Sequence, residues 1–129
     1  MRRGAWEEAR ILFETALEEE ETPEGLEGLG MAAWWLDDRA TTFDARERVY
    51  RLYREFGDDR AAARMATWLA WDCVTFRGEL AVAGGWIQRA HRLLEGVDPA
   101  PEHGWLALRE GAVVWQRHLR GAEARRTGR

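Results

Sequence analysis

His91, His103, His118 and the single cysteine, Cys73, are the side chains best suited to metal ligation, and their spacing does not favour it. They lie far apart and reproduce none of the short intervals that bring zinc ligands together. Serine is absent, which removes the serine nucleophile. The paired carboxylates at Glu18 to Glu21 and Asp58-Asp59 read as a solvated face and a turn. Gly84-Gly85 lies inside a helical pattern, where small residues permit close helix contact rather than phosphate binding. These residues predict no catalysis, no cofactor and no metal. Recognition chemistry is better represented. Eight tryptophans are many for a chain of this length, and aromatics with arginine are what binding hot spots use. Filling the core is the competing role for each tryptophan. Asp72 falls between Trp71 and Cys73 in the most apolar stretch, so once buried it needs an arginine partner or a ligand.

The elements that would carry these residues follow from a repeat. Gly4, Ala9, Phe13 and Ala16 are spaced by five, four and three residues, and Gly78, Ala83, Ile87 and Ala90 repeat the steps. Ala40, Ala45, Val49 and Leu52 supply an intermediate copy. A small residue, a bulky one four later and a small one three later share a helix face, so the neighbouring helix approaches closely. The same periodicity predicts helices over about 5–21, 24–36, 42–56, 59–76, 80–94 and 102–119, with Thr22-Pro23, Asp37-Asp38, Gly57, Gly78 and Pro99-Ala100-Pro101 as breaks. The fourth is apolar on nearly every side and belongs in the middle. No segment alternates with period two for long enough to be a strand.

At 129 residues the chain fits one domain, and 46% hydrophobic with 33% charged residues is ordinary for a folded protein. No apolar run reaches membrane length, the N-terminus does not read as a signal sequence, and one cysteine permits no internal disulfide. A cytoplasmic location is expected. The net charge of −4 argues against a general nucleic-acid surface. The locally basic tail, with Arg117, Arg120, Arg125, Arg126 and Arg129, reads as a frayed, solvated end or as a nucleic-acid contact.

Gly4-Ala5-Trp6-Glu7-Glu8-Ala9-Arg10, followed by Phe13 and Ala16-Leu17, resembles the second helix of a tetratricopeptide repeat, and Leu29-Gly30 resembles the centre of a first helix. Over about residues 3–122, segments such as Thr22 to Gly30, Ala33-Trp34-Trp35-Leu36, Trp68 to Asp72 and Pro101 to Leu106 are similar to the tetratricopeptide region of actinobacterial-type LuxR-like transcriptional regulators. The resemblance implies an all-α, right-handed superhelical stack of antiparallel helix hairpins over residues 1–121, with 122–129 as the tail. It also implies an interaction or sensory module, transcriptional by association. First helices line the concave groove in such arrays, which marks Trp34, Trp35 and Trp71 as groove candidates with Glu27, Met31, Arg64, Thr67 and Arg109 beside them.

The array reads as beginning with a second helix and ending after a first one, as a fragment or a truncated protein would. Its last helix carries Trp105, Leu108, Ala112 and Trp115 at steps of three and four, the spacing of a helix seam. That stripe packs back on the fifth helix or forms a homodimer interface. Two functions stay open: a module binding a protein or peptide, or itself, and a small-molecule sensor. A long open face of mixed charge favours the first, and a closed apolar pocket with few converging polar groups the second.

Overall fold

The computed structural model describes residues 2–128; Met1, the first residue of the expected domain, and Arg129, the last of the basic tail, lie outside the described residues. Those described form six α-helices and no strand: α1 (Arg3–Glu19), α2 (Pro23–Trp35), α3 (Arg39–Phe56), α4 (Asp59–Asp72), α5 (Leu80–Leu94) and α6 (Pro101–Thr127). None is long and apolar enough to cross a membrane.

The helix starts follow local chemistry. Thr22 Oγ1 accepts the Gly25 N–H at 3.1 Å ahead of α2, Asp38 accepts that of Thr41 at 3.2 Å ahead of α3, and Asp58 accepts that of Ala61 at 3.1 Å ahead of α4. Each satisfies an amide that the first helical turn leaves without a partner. Gly57 ends α3 at φ 75°, a left-handed conformation that glycine adopts without strain. The expected fourth helix keeps its length but not its winding. It loosens into a π-helical turn over Cys73–Arg77 before Gly78 closes it at φ 64°.

Each helix packs on the next in sequence, and α6 also packs on α4. The three copies of the spacing motif fall on alternate helices, α1, α3 and α5. Ala45 and Val49 of α3 and Ala83, Ile87 and Ala90 of α5 are buried, while α1, covered mainly by α2, buries no residue completely. Alternate α2, α4 and α6 make the opposite set. The core centres on α4, where Ala62, Ala63, Ala66 and Ala70 let neighbours close in around Met65 and Leu69. Burying each of these larger side chains contributes about 2–3 kcal/mol.

One packing position and one boundary differ from expectation. On α1, whose periodicity sets Trp6, Ala9, Leu12, Phe13, Ala16 and Leu17 on one face, Leu12 is nonetheless exposed. At the other end α6 runs past Leu119 and past the boundary expected at residue 121. Ala122, Glu123, Ala124 and Arg125 are strong helix formers, so local propensity sustains a helix where apolar periodicity stops. Arg120 Nη1 still donates to the Gly78 carbonyl at 2.9 Å, which ties α6 to the body up to that point.

Candidate functional site

Helices α2, α4 and α6 enclose a partly open pocket of about 300 Å³. Glu27 and Met31 reach it from α2, Arg64, Thr67 and Trp68 from α4, and Trp105, Leu108 and Arg109 from α6. Its wall is mostly apolar. The α4 contribution falls at i, i+3 and i+4, one face of a helix.

Most polar groups in the wall are already satisfied. Arg64 grips Glu27 with two parallel hydrogen bonds, Nε to Oε2 and Nη2 to Oε1, both 2.9 Å, and the Tyr53 hydroxyl donates to Oε1 at 2.7 Å. Burial alone would push the Glu27 carboxyl up, but the hydrogen bonds from Arg64 and Tyr53 outweigh it and hold the carboxyl below its ordinary value. Thr67 donates to the Ala63 carbonyl at 2.8 Å. Arg109 differs. Its guanidinium lies 4.4 Å from the Trp71 ring centre and 5.5 Å from that of Trp68, and it joins none of the ion pairs formed among the described residues.

A buried ion pair lies behind Trp68. Arg46 Nε stands 2.8 Å from Asp72 Oδ2, with the side chains only 2% and 0% exposed, and the Arg46 guanidinium sits 4.4 Å from the Trp68 ring centre. The arginine partner anticipated for Asp72 is therefore Arg46. The contact is short, yet neither carboxylate oxygen receives an aligned hydrogen bond, so the attraction is mainly Coulombic. Trp34 turns its indole N–H towards Asp72 and favours the ionised form without reaching aligned geometry. Burial dominates and pushes the Asp72 carboxyl up to about 6, against the pull of Arg46, Trp34 and Arg109.

Of the groove candidates, Glu27, Met31, Arg64, Thr67 and Arg109 come together in this one pocket. The three tryptophans stand outside its wall. Trp71 holds Arg109, Trp34 packs edge-on to Trp68 at 6.1 Å, and Trp35 stacks on Trp6 of α1 at 5.7 Å. The Trp34-Trp35 step turns one ring towards α4 and the other towards α1. Of the self-association candidates, Trp105 and Leu108 line the pocket while Ala112 and Trp115 continue the stripe away from it. Trp68, one of the apolar residues of the fourth helix, completes the α4 part of the wall; its place four residues after Arg64 sets it on the same helix face. Comparison with family models, curated proteins and solved structures finds no match.

Proposed function

We propose that this chain is a non-catalytic helical-repeat binding module of the tetratricopeptide kind, acting in a cytoplasmic, LuxR-like regulatory setting, whose α2–α4–α6 face senses a small molecule. One observation carries this reading: five residues marked as groove candidates converge on a single pocket lined by every second helix. The motif-bearing set α1, α3 and α5 alternates with the pocket-bearing set, which fits a stack of hairpins with one functional side. A volume of about 300 Å³ with a mostly apolar wall and few free polar groups suits a small ligand better than an extended peptide.

A protein partner is the second reading, and a different surface favours it. On α6, Trp105, Leu108, Trp115 and Leu119 are 49%, 66%, 63% and 46% exposed, a continuous apolar stripe of the sort that forms interfaces. A second copy of the chain is the proposed partner there.

The pocket is tested with 4-phenylbutanol, a neutral apolar probe of fitting size, by following the eight tryptophan indole N–H signals in an NMR titration. The expected result is saturable shifts at Trp68 and Trp105 but not at Trp86, lost in a folded Met31→Trp variant that fills the pocket. Shifts that stay the same in that variant would place binding elsewhere.

A further inference from the structure

The polar groups of the pocket do not balance. Glu27 and Arg64 neutralise one another through two hydrogen bonds, and behind the wall Arg46 and Asp72 do the same by charge. Arg109 is left over, so the wall carries one surplus positive charge in a chain whose net charge is −4. From these observations, and resting on the small-molecule reading of this pocket, we infer that its ligand is a small monocarboxylic acid with an aromatic or branched apolar body, gripped by Arg109.

Three features support this class. The rings of Trp71 and Trp68 hold the Arg109 guanidinium at 4.4 and 5.5 Å, which fixes the group through its π contacts. A guanidinium so held keeps in-plane N–H donors for a carboxylate, and pays little ordering entropy when the ligand arrives. Met31, Trp68, Trp105 and Leu108 supply the apolar wall for the body of the molecule. Glu27 limits the charge: it holds Arg64 with two hydrogen bonds, so Arg109 alone is left in the wall to meet an anion, and the second charge of a head group such as a phosphate monoester would go unpaired.

The experiment compares 4-phenylbutyrate, 4-phenylbutanol and 3-phenylpropyl phosphate by titration calorimetry and by the indole N–H shifts, using the parent, Arg109→Met, Arg109→Lys and Met31→Trp. A charge-assisted hydrogen bond predicts that the parent binds the carboxylate about tenfold or more tightly than the alcohol. The phosphate should bind more weakly than the carboxylate. Arg109→Met should erase the preference for the acid while alcohol binding remains measurable, and a helical circular dichroism spectrum matching the parent's checks that the variant is folded. Arg109→Lys should retain part of the preference, because it keeps the charge but not the planar fork. Equal affinity for acid and alcohol in the parent, with both lost in Met31→Trp, overturns the inference and leaves the pocket reading standing. A preference for the phosphate, or an acid preference that survives Arg109→Met, also overturns the inference. If neither phenylbutyl compound binds, or both bind Met31→Trp as they bind the parent, the pocket reading falls and the inference with it.

Discussion

Arg46 is the largest side chain that the fold buries completely, and its partner Asp72 is as deeply enclosed. Such a pair is costly to desolvate and costlier to break, because removing one member strands the other charge. Arg46→Met should therefore lower unfolding free energy by about 3–5 kcal/mol in urea titrations, and adding Asp72→Leu should return much of it. Additive losses in that cycle would show that the two charges do not act as a pair. A pH dependence follows from the same carboxyl. Its folded value, about 6, stands above its ordinary 3.8, so between these pH values the folded chain holds a proton that the unfolded chain has released. Stability from this group is fully present below about pH 4 and is lost as pH rises through 6. Glu27 works in the opposite sense: its carboxyl is lowered, and its contribution fades as pH falls below the ordinary 4.5. Asp72→Asn should accordingly flatten the rise in melting temperature between pH 7 and pH 5. An unchanged profile would mean that Asp72 does not titrate there. The need for a partner at Asp72 was legible, since an acid in an apolar run must be matched. Arg46 was not legible, because an arginine in a charged amphipathic helix ordinarily faces water.

Close packing between neighbouring helices makes opposite predictions for two glycines. A methyl group on Gly28 of α2 would sit 2.3 Å from the Phe13 ring of α1, whereas one on Gly85 of α5 would meet open space. In a helix interior, alanine ordinarily gains about 1 kcal/mol over glycine. Gly85→Ala should show that gain in urea titrations. Gly28→Ala should lose about 1–3 kcal/mol through overpacking, and the damage should fall on α1, which buries no residue completely. Hydrogen exchange should report reduced protection across Arg3–Glu19 with α4 unchanged; full protection of α1 would mean that the Phe13 ring yields freely. The helix plan itself was legible, because period and breaks agree: Thr22, Asp38 and Asp58 cap where the pattern placed turns, and α4 is central as its all-round apolarity required. Three things were not legible. The π-helical turn over Cys73–Arg77 leaves no mark in the spacing, the last turns of α6 rest on propensity without periodicity, and a tryptophan's partner depends on helix rotation that spacing alone does not define. For the site, spacing marked five wall residues by their helices, but the division of labour among Trp34, Trp35, Trp68 and Trp71 needed three-dimensional contacts.

The outer face of α6 links the pocket to assembly, because Trp105 and Leu108 belong to both. Along this helix Trp105, Leu108, Ala112, Trp115 and Leu119 step by three and four residues, and the series is nearly symmetric about Ala112. Two antiparallel copies crossing at Ala112 would set each Trp105 against the other copy's Leu119 and each Leu108 against its Trp115, with the small residue at the axis where backbones approach most closely. A twofold pairing of this kind buries the stripe on both chains and closes the assembly, whereas a head-to-tail contact would propagate. Because Trp105 and Leu108 would then be covered from outside, a molecule seated behind them and the second chain must act on one another, and such coupling is reciprocal. We therefore propose a homodimer through α6, measured by sedimentation at micromolar concentration. The parent should sediment as a dimer and Trp115→Glu, which lies off the pocket wall, as a monomer that retains its helical spectrum. In the same runs a pocket ligand should shift the dissociation constant of the parent. A strictly monomeric parent sinks the proposal, and a dimer unaffected by Trp115→Glu moves the interface off α6, for which the exposed Ile11 and Leu12 of α1 are the next surface to alter.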